Sequence, residues 1–299
     1  KNPWNIEEGS SGSSAGPGSA TAAACVAFGI GTETRGSIVS PSRRNGLSAL
    51  RPTFGRITRY GAMVLSWSMD KPGPMCRSIE DCALVFNAIH GASEKDPATI
   101  TAPFVYDRRV DLSTLRIGFD EDAPESFLEK LSELGANLRE MNELPNARMD
   151  QLGAESAAAF DYHIAPGGVE PEPLPEDLEP ADRRRRGRFR RGRDMRALDY
   201  INGQRRRLIL MQEMAEAMDD FDMFVSGSGA VGLTNDTGHP AVIVPYGFGV
   251  RNPDADSPTT MPLTTTIVGD LFADDKILNV AQAFQSTTDW HVRRPAMEF

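Results

Sequence analysis

The chain has few of the residues that build disulfide or metal frameworks. Its 299 residues include three cysteines, Cys25, Cys76 and Cys82, an odd number with no CxxC spacing. That disfavours a disulfide framework and reads as reduced thiols in a cytoplasmic protein. The four histidines lie far apart, with no HExxH or HxH, so no zinc motif is present and no cofactor is expected. No apolar run approaches the ~18–20 residues that a membrane helix needs, and no membrane association is expected. Lys1-Asn2-Pro3-Trp4 shows no succession of charged, apolar and small residues, so no signal peptide is visible, and there is no initiator Met. The expectation is a processed chain, or one whose amino-terminal part is missing. Positive charge is also in deficit. A net charge of −10 argues against nucleic acid as a partner, because phosphate contacts need a positive surface.

What is present suits a soluble globular protein, with 40% hydrophobic and 25% charged residues. Small residues from Ser19 to Phe28 suit a helix packed closely on other backbone. Ser78 to Gly91 is the clearest helix: Ser78 caps it, Asp81 follows three residues on, and Gly91 ends it. Its apolar residues Ile79, Cys82, Ala83, Phe86 and Ile89 share one face. Strands are expected at 115–119, 137–141, 221–225, 241–244 and 263–268. Helices are expected at 127–134, 198–218 and 274–284. The alternation implies an α/β fold, one domain over residues 1–299 with a mixed β-sheet sandwiched by α-helices. Within it, residues 166–196 form a charged surface insertion, acidic and Pro-rich to Pro180 and Arg-rich from Arg183 to Arg196. The two blocks offset each other, which favours a solvated insertion over a binding stripe.

Two Gly/Ser segments carry the chemistry. One is Gly9-Ser10-Ser11-Gly12-Ser13-Ser14-Ala15-Gly16; the other runs from Gly31 through Thr34-Arg35-Gly36-Ser37 to Pro41. A serine attacks a carbonyl only if a base takes its proton and donors stabilise the oxyanion. Gly-flanked turns let main-chain N–H groups converge without interference from Cβ atoms. An isolated GSSGSSAG is more often a linker, but here an apolar helix and a second Gly-Ser turn follow at once.

These segments, with Leu50-Arg51-Pro52-Thr53-Phe54-Gly55, Gly73-Pro74-Met75-Cys76-Arg77-Ser78, Thr237-Gly238-His239-Pro240 and Thr288-Asp289-Trp290-His291, resemble the amidase signature family along the whole chain. The resemblance implies hydrolysis of a carboxamide C–N bond in a small-molecule amide by a Ser-Ser-Lys mechanism. Ser37 would be the nucleophile forming an acyl-enzyme. Ser13, on a cis peptide, would relay the proton. Main-chain N–H groups of Thr34, Arg35, Gly36 and Ser37 would form the oxyanion hole, while Ser14 would orient its neighbours. The family usually has Gly at the position of Arg35 and Arg at that of Val39. Arg35 either faces substrate or pairs on the surface, and Val39 lowers the odds of an acidic amino-acyl substrate.

The base is the gap. In the family the lysine lies many tens of residues before the bridging serine, whereas twelve residues precede Ser13 here. Lys71 is the one downstream lysine within a motif, and with Lys95, Lys130 and Lys276 it reads as a solvated surface charge. The expectation is a missing amino-terminal segment that supplies the lysine, and a chain that alone hydrolyses amides poorly. Two alternatives stay open: a catalytically silent assembly subunit, and an amidotransferase subunit releasing ammonia for a tRNA-bound substrate. The substrate and a homo-oligomeric state are also open. A Ser-His-Asp site is disfavoured, because His239 reads as a structural hydrogen-bonding residue in a Gly-His-Pro turn.

Overall fold

The computed structural model describes residues 1–141, 143–146, 149, 151–164, 187, 191–251 and 259–296. The acidic block at 166–180 and most of the arginine block lie outside the described residues. Its strands are β1 (Gly29–Glu33), β2 (Ser48–Arg51), β3 (Lys71–Cys76), β4 (Ile117–Phe119), β5 (Leu138–Glu140), β6 (Met223–Ser226), β7 (Ala241–Arg251) and β8 (Thr259–Gly269). They form one mixed sheet in the order β1-β3-β2-β7-β8-β6-β4-β5. The pairs of β4 with β5 and with β6 are parallel, and the other pairs are antiparallel.

Successive side chains of a strand point to opposite faces, and two adjacent strands show both faces filled. On β2 and β7, Leu50, Val242 and Val244 enter one core cluster with Phe86, Phe127, Ile277 and Phe284. Their neighbours Ala49 and Ile243 enter another, with Ala22, Ile38, Leu47 and Met75. Helices cover both sides, as expected for the fold class. On the first side the helix Ile79–Ile89 buries Ile79, Cys82, Ala83 and Phe86. Ser78 caps it, its hydroxyl accepting the Asp81 N–H at 3.1 Å. Each such large apolar side chain stabilises the fold by about 1.5–3 kcal/mol. The helix Asp274–Gln285 lies on the same side, and the carboxylate of Asp274 accepts from Thr53 N–H (2.8 Å) and hydroxyl (2.9 Å).

The small-residue helix differs from expectation. It spans Ala15–Ala22 rather than starting at Ser19, and the chain leaves it through Ala24 at φ 59°. That exit returns the backbone tightly: a Cβ on Gly29 would stand 2.6 Å from the Pro17 ring. Strands β1 and β3 escape periodicity reading because Gly and Pro interrupt them, and β2 because its four residues are too few to show a period. Thr32 lies opposite Pro72 and Ile30 opposite Pro74. Since proline has no N–H, these are non-hydrogen-bonded pairs, and the polar backbone of Thr32 points away from β3.

Candidate active site

The outward-facing backbone of Thr32 finds its partner in the first Gly/Ser segment. Thr32 N–H donates to Ser14 Oγ, and Ser14 Oγ donates to Thr32 O, both at 3.2 Å. Ser14 N–H also donates to Ser37 O at 3.2 Å, so the two Gly/Ser segments meet. The Gly12–Ser13 peptide is cis. Ser13 is exposed and Ser37 half-buried. The structure brings the two segments together, yet the hydroxyls of Ser13 and Ser37 share no hydrogen bond.

The turn carrying Ser37 is held from behind by Glu33, which is fully buried. One carboxylate oxygen accepts the N–H groups of Ile38 (2.7 Å) and Val39 (2.8 Å), fixing the start of the helix Val39–Asn45. The other accepts Arg51 Nη1 (3.1 Å) and Asn235 Nδ2 (2.6 Å). Burial alone would raise the Glu33 pKa, but Arg51, the Val39 N–H and Asn235 hold it below the ordinary carboxylate value. Arg51 also reaches Thr234 Oγ1 (3.1 Å) and His239 O (2.6 Å), which joins four segments of chain.

Thr34, Arg35, Gly36 and Ser37 form the turn itself. Thr34 donates its hydroxyl to Asp70, and Asp70 in turn accepts the N–H groups of Leu65 (2.8 Å) and Ser66 (3.0 Å). Gly36 sits at φ +90°, where a side chain is strained, and a Cβ there would meet Ser40 Oγ at 3.0 Å and Val231 at 3.2 Å. Among the described residues, no acceptor meets the N–H groups of Arg35, Gly36 and Ser37. Arg35 pairs with Asp236, a residue whose side chain is 2% exposed. A cavity of about 270 Å³ is walled by Thr32 and Asp70 with Tyr60, Met63 and Trp67. It therefore adjoins the partners of both Ser14 and Thr34.

Lys71 corrects one expectation. It is not a solvated charge but lies 1% exposed on β3, opposite Glu33, with its ammonium on Met69 O. Burial first, and then the nearby Arg51, lower its pKa to about 7 against the pull of Glu33. The reason for its burial is positional: β3 is an inner strand packed against the helices Ala15–Ala22 and Ile79–Ile89, and all six of its residues are buried. It makes no hydrogen bond to Ser13 or Ser37. His239 bonds Thr237 Oγ1 through Nδ1 at 2.8 Å, the structural role expected of it, and burial takes its pKa to about 4. The sequence does not reveal the network of Glu33, Arg51 and Asn235, nor the separate hold of Asp70 on Thr34. Each lies in or beside a motif, but only folding brings these partners together.

Three comparisons agree with this architecture. The protein-family model described as Amidase matches residues 1–232. The chain belongs to the amidase family. Among curated proteins, a glutamyl-tRNA(Gln) amidotransferase subunit of Marinomonas sp. (strain MWYL1) is 28% identical over 354 residues, covering 99% of this chain and 71% of that protein. Among solved structures, the native peptide amidase of Stenotrophomonas maltophilia superposes with a TM-score of 0.74 at 27% identity, over 99% of this chain and 69% of its own. The corresponding glutamyl-tRNA(Gln) amidotransferase subunit of Thermotoga maritima shares the fold, with a TM-score of 0.71 at 23% identity, over 96% and 68% of the two chains. Among the described residues, no helix is long and apolar enough to cross a membrane.

Proposed function

We propose that this chain carries the serine machinery of an amidase that cleaves a carboxamide C–N bond through an acyl-enzyme on Ser37. The observation that supports this most is the Ser14 N–H to Ser37 O bond, which joins the two Gly/Ser segments beside the cis Gly12–Ser13 peptide. In this reading Ser37 Oγ attacks the amide carbon, and Ser13 passes its proton to a base and then to the leaving amine. The N–H groups of Thr34, Arg35, Gly36 and Ser37 receive the oxyanion, each such donor contributing about 2.7–4 kcal/mol in the transition state. A base must take the Ser37 proton, because a serine hydroxyl without one is a weak nucleophile. The family resemblance assigns that role to a lysine, and among the described residues no lysine bonds either serine hydroxyl.

A fluorophosphonate probe tests the reading. Labelling of Ser37, lost in Ser37→Ala and strongly slowed in Ser13→Ala, is the expected outcome, and it should increase when a lysine-bearing segment is supplied. Absence of labelling under both conditions would favour a silent assembly subunit. A second reading rests on the curated relatives, several of which are named as glutamyl-tRNA(Gln) amidotransferase subunits. Under it, the same serine chemistry releases ammonia to partner subunits. Copurification with such partners would separate the two, and Val39 weighs for the free-standing amidase.

A further inference from the structure

The turn that bears Ser37 also bears a guanidinium. Arg35 precedes Ser37 by two residues, and its side chain is 32% exposed. It is braced on one side alone: Nη2 donates to Asp236 Oδ2. Asp236 belongs to the helix Val231–Thr237, whose first residue stands 3.2 Å from where a Cβ of Gly36 would be. Both ends of that helix therefore abut the turn. The second carboxylate oxygen of Asp236, Oδ1, is buried and has no hydrogen-bond partner among the described residues. The pair is thus single-bonded rather than a two-bond fork. Asp236 is itself anchored, since Arg207 Nε donates to its main-chain oxygen and Arg207 Nη2 reaches Ser68 O at 3.0 Å.

A guanidinium has five N–H donors in a planar fork that matches a carboxylate. Here one donor is spent on holding the side chain in place, and the partly exposed remainder has no other partner among the described residues, on a side chain two residues from Ser37. A residue used for surface pairing alone would not need a partner 2% exposed, because burying that carboxylate has a desolvation cost. An anchored, partly exposed guanidinium on the turn that carries Ser37 is suited to an anionic group a few bonds from the scissile carbonyl.

We propose that Arg35, aimed by Asp236, is a specificity-determining residue that receives a carboxylate on the acyl side of the substrate, so that this site prefers half-amides of dicarboxylic acids. Asp236 acts through Arg35 and is a positioning residue. The proposal rests on the reading of Ser37 as nucleophile, and its test separates the two.

Succinamate and butyramide differ chiefly in a terminal carboxylate, and their binding to the 299-residue chain in a Ser37→Ala background is measured by calorimetry, without need of turnover. Succinamate should bind roughly tenfold more tightly, the scale of one charge-assisted contact at a partly exposed site. Arg35→Met should remove the preference, and Arg35→Lys should keep part of it. Asp236→Asn should reduce the preference for succinamate over butyramide, whereas a purely structural role would weaken both to the same extent. Circular dichroism of each variant reports folding, and Arg35→Lys keeps the test decisive if Arg35→Met fails to fold. Equal affinities, no saturable binding of either amide, or a preference that survives Arg35→Met would overturn the assignment. Fluorophosphonate labelling of the wild-type chain, run in parallel, reports on Ser37 independently of Arg35.

Discussion

Glu33 and Arg51, both without solvent exposure, meet at 3.1 Å behind the turn that carries Ser37. Removing one partner of such a pair leaves a buried charge uncompensated. Arg51→Met should therefore destabilise the chain by about 3–5 kcal/mol, measured by urea denaturation. Glu33→Gln should cost a comparable amount, because it too leaves Arg51 uncompensated and, with the amide oxygen on Ile38 and Val39, turns an amide NH2 toward the Arg51 and Asn235 donors. A loss under about 1 kcal/mol for Arg51→Met would mean that the pair contributes little.

Lys71 gives a pH signature. Its folded pKa is depressed to about 7 from 10.5, so between those values the unfolded chain binds a proton that the folded chain does not. Stability then rises with pH across that window, by up to about 1.4 kcal/mol per unit, relative to Lys71→Met. Below pH 7 both states are protonated and the relative slope vanishes. Parallel stability curves for wild type and Lys71→Met from pH 7 to 10 would contradict the buried placement.

Gly36→Ala tests the turn. At φ +90° a Cβ is strained, and it would approach Ser40 and Val231 closely. The expected result is a loss of about 1–3 kcal/mol in a thermal melt, together with slower fluorophosphonate labelling of Ser37. Unchanged labelling would show that the N–H groups of this turn do not depend on its conformation.

Ser78→Ala removes the cap whose hydroxyl accepts the Asp81 N–H. A loss of about 1 kcal/mol is expected, and Ser78→Asp should restore most of it. Both are read from denaturation midpoints.

Local order explains what was legible in the chain itself. The helix at 79–89 could be read because its cap, its apolar spacing and its terminating glycine lie within fourteen positions, and such signals act through near neighbours. The helices at 197–218 and 274–285 have no side-chain cap and are legible from local residue pattern alone. The two Gly/Ser segments were legible as ordered motifs, and with them the family and the α/β class. Strands β1 and β3 were not, because GIGTE and KPGPMC carry no alternating apolar pattern; they are strands because their partners complete them.

Only the tertiary structure decided the setting of the site. That Lys71 is buried, that Glu33 and Asn235 meet across 202 positions, and that Arg35 rests on Asp236 depend on long-range packing. Composition cannot encode it, because a charged residue in a sequence looks solvated until the fold places a partner beside it and excludes water. Residue type and spacing determined which chemistry this chain could hold; the desolvated arrangement of distant charges determined how the serine turn is held.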